Sequence, residues 1–479
     1  MPTLHTDVAI IGAGTAGMTA YRAAQNESKS VLLIESHVYG TTCARVGCMP
    51  SKLLIAAAEA AHAAQSASAF GVHAAPLRID GKAVMARVRS ERDRFVGFVV
   101  SDVDDFPAET KLMGRAVFTG PDTLRVGDTE IQAKSIVIAT GSSPKVADEW
   151  KIAGDRIITS DDVFDWTDLP ESVAVVGTGV IGLELGQALH RLGVRVALFA
   201  RGNSLAQISD PSLLEVADRV LSEELDIRFQ TSVTSVVRDG DGVIIHSRDG
   251  QGHQRTERFT YLLSAMGRSP NVHQLGLEHT GLVLDRFGIP HYDKHTMQCG
   301  SSAIFIAGDA DNERPLLPEA ADQGRIAGRN AACFPDVQPG LRRTPLTIAF
   351  SEPQIATAGA SYKELCAGRA GQFAVGKVSF ENQGRSRVML QNQGMLRVYG
   401  EFGSGRFLGG EMIGPRAEHI GHLLAWAHQA GMTVEQMLDM PFYHPVVEEG
   451  LRTALRDLLS QLKNPPSLAE DCLKAIPAS

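Results

Sequence analysis

One motif near the start of the chain limits the possible folds more than any other feature. Residues 7–11 form an apolar, strand-like run that leads into a glycine-rich turn, and a helical segment follows. A second apolar run, residues 31–34, ends in an acid. In a G-x-G-x-x-G turn the glycines allow a tight bend, close approach of a pyrophosphate and close helix–strand packing, and the later acid binds a ribose. We therefore predict a Rossmann-like dinucleotide site at Gly12, Gly14, Gly17 and Glu35.

The same pattern occurs a second time further along the chain. Residues 173–176 are apolar and precede Gly177, Gly179 and Gly182. A lone glycine fingerprint is weak evidence, but two copies that each follow a strand-like run predict two dinucleotide-binding units of α/β type. At 479 residues the chain is also too long for one hydrophobic core, and about three domains are expected.

Two cysteines follow the first fingerprint at a spacing that suits redox chemistry. Cys43 and Cys48 stand five positions apart, and Pro50 opens an alanine-rich segment typical of a helix. Amide groups at a helix start favour a thiolate, here on Cys48, and such a pair can exchange with disulfides. Two buried, inert cysteines are the alternative. A zinc site is disfavoured because it needs four ligands and no second ligand pair lies nearby, so we predict no metal site.

The composition argues against several other classes of protein. A formal net charge of -9 disfavours nucleic acid or an anionic membrane surface as the main partner. No apolar run reaches the roughly 20 residues that a membrane-spanning helix needs, and the first residues lack the basic start of a signal peptide. Six scattered cysteines are not typical of a secreted disulfide scaffold. We therefore expect a cytoplasmic protein with no nucleic-acid or membrane partner.

These motifs, in this order, resemble the class I pyridine nucleotide–disulfide oxidoreductases, which depend on a flavin, over nearly the full chain. Dihydrolipoamide dehydrogenase and glutathione reductase are the nearest members. The resemblance implies an α/β fold with two Rossmann-like dinucleotide-binding domains, a C-terminal α+β dimerisation domain and a homodimer. It implies an FAD-binding domain in two pieces (1–148 and 269–340), an NAD(P)-binding domain (149–268), a dimerisation domain (341–465) and a tail (466–479).

By this resemblance the first fingerprint binds FAD, and other residues complete the cofactor site. Residues 304–307 are an apolar run that ends in Gly308 and Asp309, and in the family this aspartate binds the ribityl chain of FAD. A strand that ends in Thr140 and Gly141 resembles the second turn that contacts FAD. The resemblance assigns five more residues to the cofactor sites: Thr42, Lys52, Arg115, Ala116 and, in a motif similar to the hinge between the domains, Gly267.

The second fingerprint binds NAD(P)H in the family, through Gly177, Gly179, Val180 and Gly182. Glu184 follows, and the resemblance implies that this acid pairs with Lys52 beside the flavin. Val180 stands where glutathione reductases usually carry a tyrosine that gates the nicotinamide pocket. At this position the chain is more similar to dihydrolipoamide dehydrogenase.

The end of the next apolar run, residues 194–199, bears on the choice of coenzyme. Enzymes that use NAD carry a ribose-binding acid at the position that Ala200 occupies here, and the following Arg201 can hold a 2′-phosphate. This arrangement resembles that of glutathione reductase, although Gln207 stands where that enzyme has a second arginine. We therefore predict a preference for NADP(H) over NAD(H).

The resemblance also implies the catalytic residues. Cys43 would be the thiol that exchanges with substrate, and Cys48 the thiolate next to the flavin. His444 precedes a proline, as the family's catalytic base does, and Glu449 occupies the position of the carboxylate that orients it. In the dimer this histidine would serve the cysteine pair of the other subunit. The family's usual threonine after His-Pro is replaced by Val446.

The substrate is less constrained. Dihydrolipoamide or lipoamide, free or on a lipoyl domain, is the first expectation, because of the overall motif set and Val180. Arg201 favours a glutathione-type disulfide, as do Arg22 and Arg325, which align with substrate-contacting arginines of glutathione reductase. The alternative for Arg22 and Arg325 is that they are ordinary surface or packing residues. A flavoprotein redox sensor whose disulfide signals to a partner is an alternative of another class. Mercury reduction is disfavoured because residues 464–479 lack the vicinal cysteine pair of mercuric reductases.

Overall fold

The computed structural model of the protein describes residues 2–73 and 77–463. Cys472 and the tail predicted at 466–479 lie outside the described residues. The architecture is mixed α/β, as the two fingerprints predict. No helix within the described residues is both long enough and apolar enough to span a bilayer.

Strands and helices alternate in the first part of the chain, as the fingerprints require. The elements up to residue 199 are β1 (Thr3–Ile11), α1 (Thr15–Asn26), β2 (Val31–Glu35), α2 (Thr42–Val46), α3 (Cys48–Ser66), α4 (Gly81–Asp104), β3 (Lys111–Met113), β4 (Ala116–Phe118), β5 (Thr123–Val126), β6 (Thr129–Ile138), β7 (Ser142–Pro144), β8 (Ile157–Ile158), α5 (Ser160–Val163), β9 (Ser172–Val176), α6 (Val180–Arg191) and β10 (Arg195–Phe199).

The remainder of the chain is richer in antiparallel strands. Its elements are α7 (Pro211–Ser222), β11 (Ile227–Arg228), β12 (Ser232–Asp239), β13 (Gly242–Arg248), β14 (Gln254–Phe259), β15 (Tyr261–Ser264), β16 (Arg268–Pro270), β17 (Ile304–Ile306), α8 (Leu317–Cys333), β18 (Leu346–Ala349), β19 (Gln354–Gly359), α9 (Tyr362–Arg369), β20 (Phe373–Ser379), α10 (Gly384–Val388), β21 (Met395–Glu401), β22 (Phe407–Gly414), α11 (Ala417–Gln429), α12 (Val434–Leu438) and α13 (Glu449–Lys463).

The chain divides into two compact units. The first contains the described parts of 1–53, 85–145 and 267–343, and the second contains those of 54–84, 146–266 and 344–479. The first unit therefore joins an N-terminal piece of the chain to a later one. The five-part division of the sequence, with its boundaries, stays a prediction.

The first unit is built on a seven-stranded sheet with the order β3-β2-β1-β6-β5-β4, in which β17 also pairs with β6. Strand β1 runs parallel to β2 and β6, and β17 runs parallel to β6. The apolar runs that predict β1, β2 and β17 are buried, as expected for parallel strands covered on both faces. Because these strands are parallel, their carboxyl ends meet at one edge of the sheet, where ligands bind in such folds.

Two glycines let α8 pack closely on the fingerprint helix α1. A Cβ atom on Gly324 would lie 2.2 Å from the carbonyl oxygen of Ala16, and one on Gly328 would lie 2.2 Å from that of Ala20. A side chain at either position would therefore push the two helices apart. Helix α8 thus helps to fix the N-terminus of α1, which follows the first glycine turn.

The described residues of the second unit form three sheets. A parallel sheet has the order β11-β10-β9-β15-β8, an antiparallel one has the order β12-β13-β14, and a second antiparallel one has the order β18-β19-β22-β21-β20. Helices α11 and α13 contribute apolar side chains to a core with the last sheet, including Leu424, Leu455 and Leu458. A parallel sheet after the second fingerprint and a separate α+β layer near the C-terminus match the fold class that we predict.

The helix that follows the cysteine pair differs in its start from the sequence-based expectation. It begins at Cys48, so Pro50 lies within the first turn rather than at its start. The first-turn amide groups of a helix have no partner within the helix, so a proline is tolerated there. Cys48 consequently occupies the first helical position.

Candidate active site

The first glycine turn has the geometry that the fingerprint requires. Gly12 has a φ of +107°, and a Cβ atom there would lie 2.4 Å from the carbonyl oxygen of Ala139. A Cβ atom on Gly17 would lie 1.8 Å from the carbonyl oxygen of Gly12, whereas one on Gly14 would meet no protein atom within 4 Å. Gly12 and Gly17 are therefore required by the turn itself, and Gly14 faces open space where a ligand can approach.

Glu35 closes the same turn from the end of β2. Its Oε2 atom accepts a hydrogen bond of 2.8 Å from the Ala13 amide, and its Oε1 atom accepts one of 2.9 Å from the His37 amide. A carboxylate oxygen can accept more than one hydrogen bond, so both oxygens can still receive a ribose hydroxyl. The acid thus holds the turn as well as lying where the fingerprint predicts a ribose contact.

Several side chains are linked by hydrogen bonds beyond the end of β6, where Thr140 and Gly141 follow the strand. Asp309 accepts a hydrogen bond of 2.7 Å from the Ser142 hydroxyl, and the Ser142 oxygen in turn accepts one of 2.8 Å from the Arg268 Nε–H. Gly308 has a φ of +71°, and its amide donates to the buried Gln323 side chain at 2.6 Å. The structure therefore connects the residue after Gly141 to Asp309, and the contacts of Thr140, Gly141, Gly308 and Asp309 with a cofactor stay a prediction.

Sequence reasoning missed three residues of this region, namely Ser142, Arg268 and Gln323. Ser142 and Arg268 connect Asp309 to strands β7 and β16, and Gln323 binds Gly308 from helix α8. Arg268 follows Gly267 in the hinge-like motif, so that motif was the one available signal. Gly267 itself has a φ of +93°, and its carbonyl accepts a hydrogen bond from the Lys145 amide.

The two cysteines are close enough to hydrogen-bond as thiols. Cys43 is partly exposed and Cys48 is exposed. The hydrogen bond with Cys48 is the largest cause that raises the pKa of the Cys43 thiol, and burial adds to it. Thr41 lies just before α2, has a φ of +55°, and accepts a hydrogen bond from the Ala44 amide. The spacing therefore does bring the pair together, at the point where α2 gives way to α3.

Four further residues assigned by the resemblance lie in the same unit as the cysteines. Thr42 and Cys43 open helix α2, Lys52 is half-buried on α3, and its Nζ atom lies 3.4 Å from the Ser51 hydroxyl oxygen. Arg115 is exposed, and Ala116 is buried at the start of β4. Their contacts with a cofactor remain predictions.

The second glycine turn repeats the geometry of the first. Gly177 has a φ of +112°, and a Cβ atom there would lie 2.3 Å from the carbonyl oxygen of Ala265. A Cβ atom on Gly182 would lie 2.0 Å from the carbonyl oxygen of Gly177, whereas one on Gly179 would meet no protein atom within 4 Å. Both turns are thus crowded at their first and third glycines and open at the second, as a pyrophosphate site requires.

Helix α6 starts at Val180, directly after this turn, and Glu184 is buried on its second turn. The Glu184 Oε1 atom accepts a hydrogen bond of 2.9 Å from the Phe350 amide. The predicted pairing of Glu184 with Lys52 stays a prediction. Ala200 is buried just after β10, and Arg201 beside it is exposed, so the arginine side chain is available to a ligand.

His444 and Glu449 are in contact, and their catalytic roles stay a prediction. The His444 Nδ1 atom lies 3.1 Å from both carboxylate oxygens of Glu449, at the start of helix α13. The hydrogen bond from His444 lowers the pKa of Glu449, and one from the Val446 amide has the same effect. The imidazole is 81% exposed, so its outer nitrogen is open to a substrate or a second subunit.

Comparisons with known proteins identify the family. A model of the family described as pyridine nucleotide-disulphide oxidoreductase matches residues 6–324, and the model of its dimerisation domain matches residues 346–455. The chain belongs to the pyridine nucleotide–disulphide oxidoreductases. It is accordingly a flavin-dependent oxidoreductase with a dimerisation domain, which supports a homodimer.

Several relatives are similar over almost their full length. Mercuric reductase from Streptomyces lividans is 31% identical over 475 residues, which cover 96% of this chain and 98% of that protein. Dihydrolipoyl dehydrogenase from Halobacterium salinarum is 28% identical over 465 residues, which cover 95% of this chain and 96% of that protein. The family is therefore clear, and relatives with two different substrates are almost equally similar.

Solved structures of other proteins superpose on this chain over nearly its full length. LpdA from Mycobacterium tuberculosis superposes with a TM-score of 0.80 at 25% identity, over 95% of this chain and 99% of that one. The HOCl-induced flavoprotein disulfide reductase RclA from Escherichia coli, as a Cu(II) complex, has a TM-score of 0.80 at 21% identity, with the same coverage. The second likeness concerns the fold alone.

Members of this family use FAD, with NAD(P)H as the electron donor. The residues at the first glycine turn fit such a group. Gly14 leaves space for a pyrophosphate, and the buried Thr140 hydroxyl has no hydrogen-bond partner among the described residues. A buried polar atom without a partner in the protein is what a bound cofactor can satisfy. The first turn, Glu35, Thr140 and the 308–309 pair could therefore hold FAD.

Proposed function

We propose that this protein transfers electrons between NAD(P)H and a small disulfide through FAD and the Cys43–Cys48 pair, as a dihydrolipoyl dehydrogenase-like enzyme. The observation that carries the proposal is the hydrogen-bonded thiol pair at the start of α3. The exposed His444, oriented by Glu449, supplies the acid–base group that exchange between thiols and a disulfide needs.

Each thiol has a separate task in the reaction. When bound, FAD supplies two-electron transfer between the nicotinamide and the sulfur pair. His444 takes the proton of the Cys43 thiol, and the resulting thiolate attacks one sulfur of the substrate disulfide. The thiolate that leaves then recovers that proton from His444. The Cys48 thiolate then attacks the Cys43 sulfur, which reforms the Cys43–Cys48 disulfide and releases the second substrate sulfur as a thiolate that takes a proton from water. One disulfide is thus reduced while another forms, and the reverse sequence oxidises dihydrolipoamide.

The Glu449 carboxylate has two effects on this proton transfer. It accepts a hydrogen bond at His444 Nδ1, which leaves Nε2 to exchange a proton with substrate. It also stabilises the imidazolium that forms when His444 takes a proton, since opposite charges at this distance attract. Because the pKa of Glu449 is lowered, the carboxylate stays ionised throughout the physiological range of pH.

A glutathione-type disulfide is the second candidate substrate, and a cavity in the first unit favours it. The cavity has a volume of about 340 Å³ and lies between α1 and α8, where Arg22, Arg325 and Arg329 line it. Each arginine also pairs with a carboxylate: Asp102, Asp322 and Glu27, respectively. An anionic substrate would have to compete with the carboxylates for these arginines. We therefore place the glutathione-type disulfide after the lipoamide couple.

A panel of substrates separates these candidates. Purified enzyme would be assayed with dihydrolipoamide, lipoamide, glutathione disulfide and Hg(II), each with NADPH or NADH. We expect the highest kcat/KM with the lipoamide couple. Higher kcat/KM with glutathione disulfide, lost in Arg22→Ala, would favour the second candidate, and turnover of Hg(II) alone would contradict both. Absence of turnover with any small substrate would favour a redox sensor.

A further inference from the structure

The segment from Arg201 to Asp210 carries the arginine that we expect to hold a coenzyme 2′-phosphate. It leaves the sheet after β10, where the Ala200 amide donates to the Arg228 carbonyl and the Ala200 carbonyl accepts from the Thr231 amide. The exposed residues of the segment are 201–204 and Gln207. With no regular secondary structure of its own, residues 201–210 depend on contacts elsewhere for their position. We call these residues the specificity segment.

The second glycine turn makes the first of these contacts. The buried Thr178 hydroxyl donates a hydrogen bond of 2.6 Å to the Ser204 carbonyl, and the Thr178 carbonyl accepts one of 2.8 Å from the Ala206 amide. Thr178 stands between the first two glycines of that turn. The middle of the specificity segment is therefore attached to the turn that would receive the coenzyme pyrophosphate.

The second contact comes from strand β22 in the C-terminal sheet. Glu411 is fully buried, and its Oε2 atom accepts hydrogen bonds of 2.7 and 3.1 Å from the Ser209 and Asp210 amides. Its Oε1 atom accepts one of 2.6 Å from the Ser209 hydroxyl and one of 2.8 Å from the Tyr362 amide. Four donors thus converge on one carboxylate, and three of them belong to the end of the specificity segment.

Asp210 extends this network into the next helix. Its Oδ1 atom accepts from the Ser212 and Leu213 amides and so caps α7, while its Oδ2 atom lies 2.5 Å from Arg397 Nε and 3.2 Å from the Tyr399 hydroxyl. Asp210 and Tyr399 are completely buried. Charged hydrogen bonds shielded from water are stronger than exposed ones, so this end of the segment is rigid.

We propose that Glu411, although it lies in the dimerisation domain, is a positioning residue for coenzyme selection: it holds the specificity segment so that Arg201 can bind a 2′-phosphate. The inference rests on the proposed function, because it takes Arg201 as the 2′-phosphate ligand. Glu411 touches no coenzyme itself and acts through Ser209 and Asp210. Arg201 lies between Ala200, which is bound to the sheet, and Ser204, which Thr178 holds, while Glu411 holds the residues that follow. Loss of either contact therefore loosens the segment on the C-terminal side of Arg201.

Two small probes isolate the 2′-phosphate from the rest of the coenzyme. Calorimetric titration of the oxidised holoenzyme with 2′,5′-ADP and with 5′-AMP measures its contribution without turnover. Because one charged hydrogen bond to the 2′-phosphate is worth about a factor of ten in affinity, we expect wild type to bind 2′,5′-ADP roughly tenfold more tightly than 5′-AMP. In Glu411→Ala we expect this ratio to fall to about twofold, with binding of 5′-AMP unchanged. The matched control is Glu401→Ala, on the neighbouring strand of the same sheet, which should keep the wild-type ratio.

Each outcome of the titration either supports or overturns the positioning role of Glu411. A folded Glu411→Ala protein that keeps the wild-type ratio overturns the positioning role and leaves the assignment of Arg201 intact. Equal binding of the two probes by wild type overturns the assignment of Arg201 and the positioning role with it. If Glu411→Ala does not fold, Thr178→Val decides, because it removes the attachment to Ser204 and keeps the side-chain volume. A retained ratio in that variant also overturns the proposal.

Discussion

The His444 Nδ1 atom contacts both oxygens of the Glu449 carboxylate at 3.1 Å, while the rest of the imidazole is exposed. The two residues stand five positions apart, and Glu449 is the first residue of α13, so the pair forms within one local segment. Such an arrangement fixes the Nδ1 atom of the imidazole and leaves the Nε2 atom free for proton transfer. Its consequences can be measured directly.

Removal of either member should impair disulfide exchange in a different way. His444→Ala should lower kcat for the disulfide substrate by roughly 10²–10⁴-fold, the usual contribution of a general acid–base, while reduction of the flavin by NAD(P)H persists. Glu449→Gln should cost less and should move the acid limb of the pH–rate profile to lower pH, because the imidazolium loses its charged partner. Stopped-flow reduction and steady-state pH profiles measure the two effects. A loss of flavin reduction in His444→Ala would contradict the assigned role.

The two cysteines should differ in their effect on the visible spectrum. Partial reduction of wild type should give long-wavelength charge-transfer absorbance between the Cys48 thiolate and the flavin. Cys43→Ser should keep this band and Cys48→Ser should abolish it, because the family places only the second sulfur against the flavin. Absorbance spectra during anaerobic titration with dithionite provide the measurement. A band that survives in Cys48→Ser would show that the two assignments are reversed.

The glycines of the first turn should separate folding from cofactor binding. Gly17→Ala places a Cβ atom 1.8 Å from a backbone oxygen, so it should destabilise the fold by about 3 kcal/mol or more. Gly14→Ala meets no protein atom, so the apoprotein should keep its stability while FAD binds about tenfold more weakly. Urea unfolding of the apoprotein and flavin titration measure the two quantities. Equal FAD affinity in Gly14→Ala and wild type would place the cofactor elsewhere.

Coenzyme preference should be reversible at two adjacent positions. Wild type should have the higher kcat/KM with NADPH, by about one to two decades at most, because Arg201 supplies a charged donor to the 2′-phosphate. Ala200→Glu combined with Arg201→Gly should favour NADH, since it adds an acceptor for the 2′-hydroxyl and removes that donor. Initial rates with both coenzymes test this. A wild-type enzyme with a tenfold preference for NADH would require the assignment to be withdrawn.

Asp311, two residues after Asp309, should give stability a measurable dependence on pH. Burial raises its pKa to about 6, against an ordinary value of 3.8. The folded protein therefore binds a proton between about pH 4 and 6 that the unfolded chain does not, so stability falls as pH rises through this window. Asp311→Asn should remove that fall, which amounts to at most about 2–3 kcal/mol. Urea unfolding at several pH values measures it, with the exposed Asp105→Asn as control. An unchanged slope in Asp311→Asn would contradict the shifted pKa.

Local patterns in the sequence carried most of the predictions that the structure can address. Glycine spacing predicts both turns because the constraint acts within six residues, between a strand and the helix that follows it. The cysteine pair and the His444–Glu449 pair likewise span five positions, so their members meet within one segment. The family, with its fold and its use of FAD, follows from these motifs in order, and the comparisons confirm it.

Contacts between distant parts of the chain were decided only by the tertiary structure. Ser209 and Glu411 are separated by 202 positions, and Ser142 and Asp309 by 167, and neither pair has a local pattern that could predict it. The cavity between α1 and α8 similarly depends on how two helices pack. Buried polar groups need hydrogen-bond partners, and the partners can come from any part of the chain that packs beside them. This requirement produces no periodic pattern in the sequence.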